Sequence, residues 1–179
     1  MKQIKLFGLG GQGVVTAAKI FAEAVAIGEG KHAQSIPAYG HERRGAPVYS
    51  DLIVSDEPIK TKSFVYEPDY VVIFDLSVID KGIDVMVGTN ANTVFIINHE
   101  CVLPEYPFAK HQVYYVGAKQ IALDTLKRDI PNSAMLGAMA GAGLVGLDAA
   151  IQAIRKIFGK AGDINAEAAN KAYAGLRKN

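Results

Sequence analysis

The sequence predicts an α/β domain with a mainly parallel sheet, and three observations carry that prediction. A short apolar run, Ile4 to Leu9, passes into four glycines within six residues, Gly8 to Gly13, and helix formers follow from Val14. Tyr70-Val71-Val72-Ile73-Phe74 is β-branched and aromatic without a charge, the composition of a central strand covered on both faces. Beyond Ile130 the chain turns to helical periodicities, which makes the C-terminal third helical. At 179 residues, a single domain spanning 1–179 is long enough for a proper core.

Strand, glycine turn and helix together open a βαβ unit. Gly8, Gly10 and Gly13 stand at the G-x-G-x-x-G spacing. There the early glycines allow a tight turn, and the last lets the helix pack on the strand. The helix start offers free N–H groups and a partial positive charge to an anion. A turn that only packs the helix tightly would use the same glycines. A dinucleotide site also needs an acid on the ribose, about 20 residues on, at the end of the second strand. The nearest acid, Glu29, sits in a turn between Gly28 and Gly30, and the second strand, Ala33 to Ile36, ends without one. The spacing argues against NAD.

The first helix, about Val14 to Ile27, carries Val14, Ala17, Ala18, Phe21 and Val25 on one stripe, with alanines suggesting a second covered face. Tyr39 to Gly45 is a loop by its glycines and holds the densest charge of the chain. In it Arg43 and Arg44 offer paired guanidinium donors to a phosphate or carboxylate, or to Glu42 and acids of a partner chain. Val48 to Val54 is a strand, and Ser55-Asp56-Glu57-Pro58 turns it into Ile59–Phe64, which reads as one β-hairpin. Asp75 ends the Tyr70 strand, where it can cap the segment from Leu76 or meet a ligand. Thr93 to Ile97 and Val113 to Val116 are further strands.

Ala118 to Arg128 is helical, with Ile121, Thr125 and Arg128 along one side and Ala118 and Ala122 along another. Asn132 or Ser133 can cap the next helix, in which Gly137 and Gly141 share a face. Each glycine costs a helix roughly 1 kcal/mol relative to alanine, so two on one face indicate a second backbone close by. Leu147, Ile151, Ile154 and Phe158 form a clean apolar stripe, and a last helix from about Asn165 places Ala169, Tyr173 and Leu176 together. The Gly137/Gly141 face and the apolar stripe exceed what one small sheet covers, so the isolated chain is expected to self-associate, as a homodimer for example.

Composition narrows the function. A formal net charge of +1 gives no case for nucleic acid. A single cysteine, Cys101, excludes internal disulfides and any iron–sulfur cluster held by this chain alone, and points to a reducing, cytoplasmic setting. No signal peptide is visible, and Ile130 to Leu147, though uncharged, is too rich in glycine and turn residues for a membrane helix. His32, His41, His99 and His111 show no ligand spacing, so no metal site is expected. His99 beside Cys101 allows a nucleophile pair, but a polar loop with an ordinary buried thiol explains it as well.

Five segments then form an ordered set: Gly8-Leu9-Gly10-Gly11-Gln12-Gly13, Tyr39-Gly40-His41-Glu42-Arg43-Arg44-Gly45, Ser55-Asp56-Glu57-Pro58-Ile59, Glu67-Pro68-Asp69-Tyr70-Val71 and Asn132-Ser133-Ala134-Met135-Leu136-Gly137. Over nearly the whole chain they resemble the gamma subunit of the 2-oxoacid:ferredoxin oxidoreductases, the family that includes pyruvate synthase. The resemblance implies a Rossmann-like three-layer fold and a required subunit that is inactive alone. Its complex would convert a 2-oxoacid, pyruvate as first choice, and coenzyme A to acyl-CoA and carbon dioxide, with electrons passing to ferredoxin. Thiamine diphosphate and 4Fe–4S clusters would sit in partner subunits of alpha, beta and delta type, with no cofactor in this chain. The alternatives are a stand-alone nucleotide-binding dehydrogenase and a pure assembly scaffold. Gly8, Gly10, Gly11, Gln12 and Gly13, with Tyr39, Glu42, Arg43, Arg44 and Gly45, are the candidate loops for CoA, another anion or an interface. Both loops follow strand ends at one sheet edge and are expected side by side.

Overall fold

The first strand, β1 (Lys2–Leu9), alternates Ile4 and Leu6 toward one face and Lys5 and Phe7 toward the other, and it sits inside the sheet. The computed structural model describes residues 1–38, 44–60 and 62–179. The remaining strands are β2 (His32–Ala38), β3 (Pro47–Ser55), β4 (Tyr70–Ile73), β5 (Val94–Asn98), β6 (Gln112–Val116) and β7 (Arg177–Lys178). Their order across the sheet is β2-β3-β1-β4-β5-β6-β7. The β1-β4-β5-β6 centre is parallel, whereas β3 runs against both β2 and β1, and β7 runs against β6. The mixed α/β class with a mostly parallel sheet is as expected.

The hairpin is present but has a different second arm. β3 pairs with β2 along one edge and with β1 along the other, register Ser50 to Pro37 and to Leu6. Both hydrogen-bonding edges of β3 are thus taken, and the described residues of 59–64 have no ladder to join. That segment instead leads to the Asp51 carboxylate, which accepts the Val65 N–H at 2.8 Å. Asp51 is fully buried and is held by Lys5, its cross-strand partner, at 3.0 Å. An unpaired carboxylate there would be costly, so the pair and the backbone donor occur together.

On one face lie α1 (Val14–Glu23), continued by a π-helical turn to Gly28, then α3 (Ala118–Leu126), α4 (Asn132–Gly141), α5 (Leu147–Phe158) and α6 (Gly162–Gly175). The opposite face carries a thinner layer, the one-turn α2 (Ser77–Asp80) and loops whose Phe108 stacks on Phe95 at 4.7 Å. All of Val71, Val72, Ile73 and Phe74 are buried, as a strand covered on both faces requires. The buried side of α3 is Ala118, Ala122 and Thr125, while Arg128 falls beyond its end and is exposed. No helix among the described residues is long and apolar enough to cross a membrane.

α4 is buried from Asn132 through Ala140 and packs against α1, α3, α5 and α6. Gly137 is where α6 crosses: a Cβ there would lie 2.0 Å from the Ala169 carbonyl oxygen. The expected close backbone is therefore α6 of the same chain. The glycine face predicted to promote self-association is covered internally, and Leu147 and Phe158 of the α5 stripe also pack into the core. Neither feature gives ground for a homodimer. Neither Asn132 nor Ser133 caps α4, because both already lie in its first turn; Ser133 Oγ instead donates to Asn165 Oδ1 of α6 at 2.7 Å.

Gly137→Ala is expected to destabilise the protein by about 1–3 kcal/mol, the range for overpacking, even though alanine is the better helix former. A urea denaturation midpoint that rises instead of falling would show that α6 does not press on this position.

Candidate functional site

The β1–β3 ladder does not stop at the strand ends. Gly10 N–H donates to the Ala46 carbonyl at 2.8 Å, and Gly45 N–H donates to the Gly10 carbonyl at 3.0 Å. These bonds staple the glycine loop to residues 44–46, the side-by-side placement expected of the two loops. Arg44 lies over Gly11, its Cγ 3.5 Å from where a Cβ would stand. Tyr39, Glu42 and Arg43 lie outside the described residues.

The glycines divide their work differently from the sequence expectation. The first one makes the helix–strand packing: a Cβ on Gly8 would meet Val14 Cγ2 at 2.6 Å and Phe74 Cβ at 2.9 Å. The last makes the turn, since Gly13 is left-handed at φ 76° and precedes α1 directly. The first amide bonded back within the helix start is Ala17, to the Gly13 carbonyl at 2.8 Å. The N–H groups of Val14, Val15 and Thr16 come before it, so they are the donors that a helix N-terminus leaves without an acceptor inside the helix.

Those residues line a cavity of about 1050 Å³ that also takes in Lys19, Arg44 and Arg128. The one acid among its described lining residues, Asp129, is paired to Lys119 at 3.1 Å. The start of α4 meets the same cavity, where Asn132 is 4 % exposed. Its Nδ2 abuts Gly13, 2.6 Å from a notional Cβ. Two helix starts and three cations thus converge on one concave surface, an arrangement suited to a ligand bearing several negative charges. Lys19, Arg128 and Asn132 escaped the sequence reading as site residues. Lys19 had a signal, because Val15 and Lys19 lie four apart on the side of α1 away from the buried stripe. Asn132 stood in one of the five ordered segments but reads there only as a helix cap, and Arg128 had no signal, since only tertiary packing brings the loop after α3 to the glycines.

Gln12 turns to the other side of the loop. Its Oε1 accepts the Leu9 N–H at 2.8 Å, and its Nε2 donates to Asp75 Oδ2 at 2.7 Å. Asp75 Oδ1 accepts the Ser77 N–H at 2.9 Å, so Asp75 caps the α2 turn as expected. Burial would raise the Asp75 carboxyl, but the Ser77 and Gln12 hydrogen bonds and the charge of Lys119 together hold it below the ordinary carboxylate value. Beside it, Asn98, His99, Glu100 and Lys119 line a smaller cavity of about 330 Å³. Cys101 is exposed rather than buried, with His99 Nδ1 3.7 Å from its sulfur. Glu29 is far from all of this: it stands before β2, bonded to the Gly146 N–H and paired with Lys31 at 3.2 Å. No ribose acid is therefore available from it.

The profile of the pyruvate ferredoxin/flavodoxin oxidoreductase family matches residues 3–175. The chain belongs to that family. It is 43% identical to the pyruvate synthase subunit PorC of Methanothermobacter thermautotrophicus, over 99% of this chain and 97% of that one. It is 42% identical to the common gamma subunit of the pyruvate/ketoisovalerate oxidoreductases of Pyrococcus abyssi, over 97% and 96%. The crystal structure of the pyruvate oxidoreductase subunit PORC of Thermotoga maritima superposes with a TM-score of 0.83 at 30% identity, over 99% of this chain and 97% of that one. Within this oxidoreductase family fold, the glycine loop and the basic cavity occupy the carboxyl ends of the parallel strands, where open α/β sheets place ligands.

A carboxyl held low stabilises the fold at pH values above its unfolded pKa, and the gain is lost as pH falls through the folded value. Asp75→Asn is therefore expected to cost more stability at pH 7 than at pH 3, compared by urea denaturation at both. Equal losses would show that the charge of Asp75 plays no part.

Proposed function

We propose that this chain is the gamma subunit of a multi-subunit 2-oxoacid:ferredoxin oxidoreductase, with pyruvate as its oxoacid and a binding role for coenzyme A in the cavity under the glycine loop. The complex breaks the carboxyl carbon bond of the 2-oxoacid, releases carbon dioxide, joins the acyl group to CoA and delivers the electrons to ferredoxin. The observation that carries the reading is the family match over 3–175, with relatives above 40% identity along nearly the whole of both chains.

The redox chemistry belongs to partner subunits of alpha, beta and delta type. One cysteine cannot supply the four thiolates of a 4Fe–4S cluster, and among the described residues no three His, Cys, Asp or Glu side chains gather for a metal. The described residues of this chain therefore offer no ligand set for a cluster. What they fit is an anion. CoA is the strongly anionic substrate of the reaction, and Lys19, Arg44, Arg128 and the α1 amides present positive potential to its phosphates. The dehydrogenase alternative lacks support, with Glu29 committed elsewhere and Gln12 filling the crevice beside Asp75.

The purified chain alone is expected to show no absorbance near 400 nm and no turnover of pyruvate with CoA and an electron acceptor. Activity in a demonstrably single-subunit preparation would end the assignment. In the assembled complex, Arg44→Ala should raise the KM for CoA roughly tenfold or more, the equivalent of a lost charge-assisted contact of about 1.5–3 kcal/mol. Normal assembly with an unchanged KM for CoA would remove Arg44 and its cavity from the binding role.

A further inference from the structure

In this sheet the chain builds outward from β1 in two directions, to β3 and β2 on one side and to β4 on the other. The crevice between the carboxyl ends of β1 and β4 is thus the topological switch point, where an open α/β fold ordinarily seats its ligand. Here that crevice is already filled. Gln12 spans it, bonded to the Leu9 N–H at one end of its amide and to Asp75 at the other. The Gln12 backbone N–H also donates to the Leu9 carbonyl at 3.1 Å, so both peptide groups flanking Leu9 are tied to one residue. Asp75 in turn has its second oxygen on Ser77. None of these polar atoms needs a ligand, and the carboxylate repels a phosphate approaching from this side.

We propose that Gln12 is the positioning residue of the anion site: it locks the glycine loop against β4, so that the free amides of α1 open only onto the basic cavity on the opposite side. Gln12 touches no ligand and acts through the loop. The role demands a side chain that accepts at one atom and donates at another, with this reach. Alanine supplies neither bond, and glutamate supplies the donor only when it shares a proton with Asp75, because two carboxylates at this distance cannot both be ionised. The inference rests on the CoA reading above, and its test separates the two.

The experiment measures KM and kcat for CoA in the assembled complex across pH 5.5 to 8, for wild type, Gln12→Ala, Gln12→Glu and Arg44→Ala. Gln12→Ala is expected to raise the KM for CoA about tenfold while kcat stays within about a factor of two and the KM for the oxoacid is unmoved. Gln12→Glu is expected to match Gln12→Ala at pH 8 and to approach wild type as pH falls, when the introduced carboxyl and Asp75 take up a shared proton. The charged and titratable groups facing that carboxyl pair are Lys119 on α3, and His99 and Glu100 beside the smaller cavity. These groups are common to variant and wild type, so the ratio of variant to wild type is the quantity read. A raised KM in Arg44→Ala with an unchanged KM in Gln12→Ala overturns the positioning role alone. Unchanged KM values in both overturn the CoA reading and this inference together. A ratio for Gln12→Glu that does not vary with pH overturns the proposed hydrogen bond to Asp75, even if Gln12→Ala assembles poorly.

Discussion

The contact on which most of this structure depends is the crossing of α6 over Gly137. An all-round buried helix such as α4 gains its stability from what surrounds it, because ten residues alone are too few to hold a helix in water. Gly137 forgoes roughly 1 kcal/mol of helix propensity so that the α6 backbone can approach within van der Waals contact. That approach fixes α4 lengthwise, and the buried Ser133–Asn165 bond sets its rotation. The start of α4 then falls against Gly13, which brings Asn132 and Arg128 to the glycine loop. The site is built on a packing decision made a whole helix away.

A second constraint acts from the opposite side. β3 lies between two antiparallel neighbours, and its ladder with β1 runs on through Gly10, Ala46 and Gly45 into the loops. Loops after strands are ordinarily free to vary. This one is tethered by backbone bonds, so Arg44 keeps its place over Gly11. The Lys5–Asp51 pair, buried at its carboxylate, reinforces the same strand pair and anchors the strap that ends at Val65.

Much of the fold was legible because it rests on short-range signals. The β1–glycine–α1 unit, the charge-free Tyr70 strand, the apolar stripe of α5 and the close backbone at Gly137 all follow from spacing within one or two turns. What escaped depends on pairing at a distance. Val48 to Val54 reads equally well as the first arm of a hairpin with Ile59–Phe64 or as the second arm of one with β2, because both flanking segments alternate and both connections carry turn residues. β7 is two residues long and invisible as a pattern. At the site, Gly8 to Gly13, Arg44 and Asn132 were legible in the ordered segments, whereas Lys19 and Arg128 were not, and nothing local says that the helix start at Asn132 docks on the glycines. The roles of Gly8 and Gly13 differ from the spacing's expectation for a related reason, while Gly11 at φ 97° keeps the turn: Gly8 is packed by Val14 and Phe74, and Gly13 both turns and meets Asn132.

The electrostatics of the cavity explain why such a surface suits a subunit better than a free-standing enzyme. Lys19, Arg44 and Arg128 are exposed, so in the isolated chain water and salt screen them over about 8–10 Å and each is worth little to a bound phosphate. Only the α1 amides and the buried Asn132 at the bottom act in a lower dielectric. Covering the cavity with another protein surface would exclude water and strengthen every one of these interactions at once. In the proposed reading, the chain carries the polarity of an anion site without the enclosure that makes one tight, and assembly would add that enclosure. Gln12 and Asp75 fit the same logic, because a loop locked in advance loses little conformational freedom when a ligand arrives, and affinity gained on assembly is not spent on ordering it.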